Sequence, residues 1–449
     1  MSQSKVPGQA WVTVFAGTAI NLCLGILYAW SVWKKALVNP ELAGEVMTGI
    51  DAGWTYLTNS QAATPFSLCI IMFMLCMVPG GKIQDKLGPK ACATIGGLCL
   101  AAGCIIAGLM KSYTGLIIGF GIMGGIGMGI GYAAPTPAAL KWFGPHRRGL
   151  IAGLVVSGYG GAALYISPLA RYLIEGYGIT GSFIALGVIF ALVVIVAGQL
   201  LNTPPAGYQP PAPPVEASAA TAIATKVDWE PSQIVKTKAF FSLVIMFVLA
   251  TQSGLLIIGN AAGLLSKAGS AVPFLVANAW ILAAYGGITN AVGRVGTGVY
   301  SDRIGRTRAY AINCGVAALC MFSLPMIIAS ENILLLFIAT GIGYWQYGGL
   351  LSLMPSFVAD FFGGKNLGMN YGLVFIGWGL GAFMPKLGGI IQDATGSLDL
   401  AFYISGSLLL ASVAIALLTR RPDDSHLLAD APTAKSEATA DGLEERKAA

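Results

Sequence analysis

Twelve separate stretches of this chain are long and apolar enough to cross a bilayer, and that limits the possible folds more than any other feature. A spanning helix needs ~20 mostly apolar residues. The runs lie at about 11–33, 60–80, 91–110, 114–140, 150–171, 181–201, 239–264, 274–300, 309–329, 332–357, 368–391 and 400–419. Hydrocarbon offers no partner to a backbone N–H or C=O, so such runs are read as helices. Of the 449 residues, 55% are hydrophobic and 10% charged, whereas a soluble domain carries about 25% charged residues. So few charges cannot cover a water-facing surface of this size. The 60 glycines fit the same reading, because small residues let helices pack closely in a membrane. The expected fold is an all-α polytopic membrane protein with twelve transmembrane helices.

Loop charge sets the expected orientation. One set of loops carries Lys82, Lys86 and Lys90; Lys141, Arg147 and Arg148; Lys226, Lys236 and Lys238; and Arg303, Arg306 and Arg308. The alternate loops hold Lys111, Lys267 and few others, with Lys34 and Lys35 as an exception at the outer end of the first span. Both termini are therefore expected in the cytoplasm of an inner (plasma) membrane protein. Residues 1–10 read as a cytoplasmic N-terminus without a cleavable signal. Residues 11–201 and 239–419 form two six-helix halves, and the Pro/Ala-rich stretch 202–238 links them. The polar tail 420–449 is expected to be disordered. The net charge of +6 lies in loops and does not point to nucleic acid. All eight cysteines fall in apolar runs without a CxxC, as packing residues would.

The two halves repeat one another. Gly81-x3-Asp85-Lys86-x-Gly88-x-Lys90 follows the second span, and Gly298-x3-Asp302-Arg303-x-Gly305-Arg306 follows the eighth. The aspartates are 217 residues apart. Phe143-Gly144-x4-Gly149-x3-Gly153-Leu154-Val155-x2-Gly158-Tyr159-Gly160 is matched by Phe362-Gly363-x4-Gly368-x3-Gly372-Leu373-Val374-x2-Gly377-Trp378-Gly379, offset by 219. Two unrelated patterns at nearly one offset indicate a duplicated six-helix unit. Six is even, so both copies have the same orientation. They are expected to be related by an axis along the membrane normal, with a site between them. The loop glycines allow tight turns. The aspartates can cap a helix and pair with the basic residues, and such a cluster can form in one state and break in another.

With this loop present twice, the chain resembles the major facilitator superfamily over about residues 11–420. More narrowly, it is similar to the oxalate:formate antiporter and monocarboxylate transporter families. The residues are Leu24-Gly25-Ile26-Leu27-Tyr28-Ala29-Trp30-Ser31, Lys141-Trp142-Phe143, Asn290-x3-Arg294 running into Ser301-Asp302, and Asn370-Tyr371-Gly372.

Arg294 is the most informative side chain. It lies seven residues before Ser301, so about 10 Å inside the end of the eighth span. An arginine there costs at least ~2.5 kcal/mol and needs a partner or a water-filled cavity. No Asp, Glu or His occurs within the twelve runs; His146 and His426 lie in a loop and the tail. A guanidinium without an acid is a site for an anion, and it matches a carboxylate bidentately. A snorkelling arginine is the alternative. Asn290, one turn deeper on the same face, can bond the arginine or the anion. The resemblance implies an aspartate at this position in monocarboxylate transporters, as proton partner of the arginine; here it is asparagine. The resemblance also implies a second cation, a lysine, in the antiporter, where this chain has Trp378. One formal charge remains, which favours a monoanion over oxalate. Lys386 reads as a residue snorkelling to the outer surface. The resemblance further implies that Tyr28, Tyr132 and Tyr347 line the cavity, with Trp345 a weaker candidate than Tyr347.

Gly119-x-Gly121-x-x-Gly124 matches a dinucleotide fingerprint, but no strand precedes it. These glycines, with Gly125, Gly127, Gly129 and Gly131, read better as a packing face. Pro65, Pro135, Pro137, Pro168, Pro325 and Pro355 are expected to kink helices. The expected protein is a monomeric transporter of small monocarboxylates of the lactate, pyruvate or formate class. It would work by alternating access, with proton symport or anion exchange, and without cofactor, metal or catalytic residues. The rival readings are an oxalate/formate-type antiporter, a non-transporting anion sensor, a channel, and a membrane enzyme, for which no acid–base constellation is present.

Overall fold

A computed structural model describes residues 6–143, 148–205, 207–209, 228–363 and 366–423. Among the described residues, ten helical segments meet the length and apolarity of a membrane span, and two further features bring the count to the expected twelve. Leu150–Leu200 is 51 residues long, roughly 76 Å if straight at 1.5 Å per residue against a hydrocarbon core of ~30 Å. It breaks at Gly178, so it is two spans. Trp280–Ile304 is a helix of 25 residues outside the ten, and it carries Asn290 and Arg294.

The spans are α1 (Gly8–Leu37), α2 (Asn59–Gln84), α3 (Lys86–Met110), α4 (Tyr113–Leu140), α5 (150–177), α6 (179–200), α7 (Lys238–Ala268), α8 (Trp280–Ile304), α9 (Arg306–Ala329), α10 (Ile333–Phe362), α11 (Met369–Thr395) and α12 (Asp399–Leu418). Some boundaries differ from the sequence expectation. α1 runs on to Leu37, and α8 starts at Trp280 behind a separate short helix, Pro273–Ala277.

The duplication is visible in the backbone. Gly88, in the first residues of α3 where the chain turns from α2, has φ 83°, and Gly305 between α8 and α9 has φ 89°. Gly178 and Gly396, before α6 and α12, have φ 71° and 76°. Side chains with a Cβ rarely adopt these angles, so glycine fixes where these four hairpins turn.

The glycines of α4 form the expected packing face. A Cβ on Gly127 would lie 2.4 Å from Leu100 N of α3, and one on Gly125 would lie 2.6 Å from Cys69 O of α2. Cys69, Cys104 and Cys314 are fully buried. Pro65, Pro168, Pro325 and Pro355 sit inside helices, and Pro135 restarts α4 after a break at 133–134. Of the linker, Trp229 bonds Phe362 O at 2.9 Å and Pro231–Ile234 forms a short helix. Residues 210–227 and the tail from 424 lie outside the described residues. Between the halves, α5 packs on α8, α2 on α11 and α1 on α7. The end of the bundle holding the α1–α2 and α7–α8 loops, away from the termini, is called the far end below.

Candidate functional site

Arg294 lies in the seam between the halves and is 5% exposed. Its Nε donates to Asn290 Oδ1, one turn away, at 3.1 Å. Its Nη2 reaches the Tyr28 hydroxyl of the other half at 3.5 Å. Tyr28 meets the Tyr347 hydroxyl at 3.1 Å, and Trp378 Nε1 donates to that same hydroxyl at 2.7 Å. Arg294 Nη1 and Asn290 Nδ2 are buried without a hydrogen-bond partner. Among the described residues Arg294 forms no ion pair with a carboxylate; its side-chain contacts are Asn290 and Tyr28.

Local breaks in helix geometry place these groups. Tyr28 sits on a 3₁₀ segment, Gly25–Ala29, inside α1. Trp378 sits on the short piece Ile376–Leu380 of α11, and Tyr132 ends the regular part of α4. Interrupted helices of this kind are the usual way a membrane protein turns groups into a central site. Glycines admit the large side chains. A Cβ on Gly160 would lie 3.0 Å from Arg294 Nε, and one on Gly254 would lie 2.5 Å from Tyr347 Cβ.

The structure brings together all six residues singled out from the sequence. It adds others that the sequence reasoning missed. Tyr159 stands edge-on to Tyr28 and Tyr132, with ring centres 5.1 and 5.4 Å away. Phe73 stands edge-on to Trp378 at 5.0 Å, and Phe375 stacks on Trp378 at 4.9 Å. One signal could have found Tyr159: the repeat pairs it with Trp378. Trp345 packs its ring over Gly296 and does not join the site.

A family model described as Major Facilitator Superfamily matches residues 10–346 and 277–444. The chain belongs to the major facilitator superfamily. It is 27% identical over 382 residues to an uncharacterized MFS-type transporter of Escherichia coli, YhjX, covering 85% of this chain and 88% of that one. It is 27% identical over 356 residues to the oxalate:formate antiporter of Oxalobacter formigenes, covering 75% and 81%. It is 25% identical over 402 residues to monocarboxylate transporter 12-B of Danio rerio, covering 83% of each. In structure it is similar to the xylose transporter XylE of E. coli in a partially occluded inward-open conformation, with TM-score 0.63 and 12% identity. That likeness covers 93% of this chain and all of the other, and it bears on the fold alone.

In this major facilitator protein, further contacts join the halves at the far end. Lys386 does not snorkel outward as expected. Its Nζ crosses from α11 to α2 and bonds Ser60 O, Ser60 Oγ and Thr64 Oγ1 at 3.0, 2.7 and 2.6 Å. Asp393, two turns on, accepts from Asn59 N and Ser60 N at 2.8 and 2.7 Å. Oxygen acceptors in the seam hold the ammonium more firmly than a distant interface can. Of the loop motifs, the side chains of Asp85 and Asp302 lie outside the described residues. Arg306 bonds Asp360 at 3.4 Å and Ser301 Oγ at 2.5 Å. Lys86 and Arg303 are exposed.

Proposed function

We propose that the chain is a secondary active transporter of small organic anions, with monocarboxylates of the lactate, pyruvate or formate class as cargo. The observation that carries this reading is the buried Arg294, which keeps one unpartnered Nη and, among the described residues, has no acid beside it. A carboxylate supplies both the charge and the acceptors. Asn290 Nδ2, also unpartnered, can donate to the second oxygen. Tyr28 and Tyr347 offer hydroxyls, and the rings of Tyr159, Phe73 and Trp378 pack a short carbon chain. Trp378 takes the place of a second cation and is held by Tyr347, so a dianion would bring one charge too many.

The termini face the cytoplasm and the far end faces outward. The contacts of Lys386 and Asp393 tie α11 to α2 at that end, and transport requires them to break in an alternating cycle. The two loop motifs govern the opposite side in the same way. Coupling is by anion exchange or by proton symport. Asn290 cannot carry the proton.

Uptake of labelled lactate, formate and oxalate into proteoliposomes, with and without a pH gradient, tests this reading. Arg294→Lys and Arg294→Ala are expected to insert normally and to lose transport. Normal uptake by either variant would remove the site. Oxalate taken up faster than the monoanions would refute the charge count.

A further inference from the structure

A second set of cations surrounds a cavity of about 230 Å³ at the far end, between the halves. Lys34 and Lys35 of α1 and Lys267 of α7 line it, and Asp399 of α12 is the acid among its walls. Lys34 is 8% exposed, and its one described acceptor is Asn260 Oδ1 at 2.5 Å. An ammonium has three donors, so two remain. Lys35 bonds the Val276 carbonyl. Ser31 Oγ lines the same cavity, is 1% exposed for the residue, and has no hydrogen-bond partner.

The surrounding charges do not cancel the lysines. Asp393 acts on Lys34 from a distance, but both of its oxygens already accept backbone N–H groups. Arg171, near Lys35, is paired with Glu175. Three cations therefore face one uncommitted acid. Lys267 is exposed and no described contact explains its place in this wall.

We propose that this cavity is a second anion site, which takes a small monovalent anion such as a short carboxylate or a halide. Lys34 and Ser31 donate from α1 and Lys267 supplies charge from α7. Lys34 follows Tyr28 by six residues, about 9 Å along the helix, so this site and Arg294 lie in sequence along one seam. In the transport reading above, on which this clause alone rests, it receives the anion before the central site does.

The test is titration calorimetry at constant ionic strength on the purified full chain carrying Arg294→Ala, which removes the central site, with sodium formate and sodium bromide as probes. Saturable binding is expected. Lys34→Gln should weaken it roughly tenfold or more, as for loss of a charge-assisted donor. Lys267→Gln should weaken it about two- to fivefold, as for an exposed charge. Asp399→Asn should tighten it by a similar factor, a gain that loss of structure does not produce. Lys34→Gln could also loosen the contact with Asn260, so the two substitutions on α7 and α12 decide the matter. No saturable binding in the Arg294→Ala protein, or an affinity indifferent to both of those changes, overturns the site. Binding of this kind in a protein that shows no uptake would retain the site and sink the transport reading.

Discussion

Shifted by the 217 residues that separate the two loop motifs, Asn290 and Arg294 of α8 fall on Phe73 and Met77 of α2. The two helices occupy equivalent places in the duplicated halves, and both face the seam. One presents an amide and a guanidinium. The other presents a phenyl ring that touches Tyr132, Tyr159, Phe375 and Trp378. The duplication supplied a symmetric frame, and the chemistry on it is one-sided. Two facing guanidiniums would need two anionic groups to balance them. One guanidinium opposite an apolar wall suits a cargo with a charged head and a short carbon body.

Asn290→Asp attacks this asymmetry most directly. An ionised carboxylate one turn from Arg294 would take the guanidinium from the cargo. Monoanion affinity at neutral pH should fall about thirtyfold or more, in line with ~2 kcal/mol or more for a buried charge pair. Since the new acid competes only when ionised, affinity should recover as pH is lowered through its titration. Calorimetry across pH 4 to 8 would show it, and a flat profile would speak against the exchange of partners.

Phe73→Asn makes the α2 face resemble the α8 face. Lactate and pyruvate should then bind about tenfold more weakly, as expected for losing roughly 1.5 kcal/mol of apolar contact. Formate, which has no carbon chain, should change much less. Equal losses for all three anions would mean that the ring shapes the protein and not the cargo. Tyr347→Phe is expected to have a smaller effect, about fivefold in affinity, for a hydrogen bond of ~1 kcal/mol. It leaves the Trp378 N–H without its acceptor.

Lys386 at the far end differs from Arg294, because it has three oxygen acceptors and a nearby acid. It ties α11 to α2 and needs no cargo. Asp393→Asn should leave anion affinity within about twofold and speed amide hydrogen exchange at Asn59 and Ser60 several-fold. Unchanged exchange would show that the latch contributes nothing.

The membrane scaffold was legible because twelve apolar runs have no other stable place, and the repeat because two motifs recur at nearly one offset. Arg294 was legible by elimination, since no acid falls within the twelve apolar runs of the sequence. Phe73 and Tyr159 were not, because an aromatic residue in an apolar run looks the same whether it faces lipid, a neighbouring helix or a cargo. The bonds of Lys386 and Asp393 to α2 were also hidden. Asn59 and Asp393 are 334 residues apart, and only packing of the two halves brings them together.

The dependence of binding on cargo charge is the most direct test of Arg294. Lactate and its neutral analogue lactamide differ little in size, and their affinities can be compared in the wild-type chain and in Arg294→Gln. The wild-type protein should favour lactate about thirtyfold or more, and Arg294→Gln should abolish that preference. A preference for lactate that survives the substitution would mean that the cargo's charge is neutralised elsewhere.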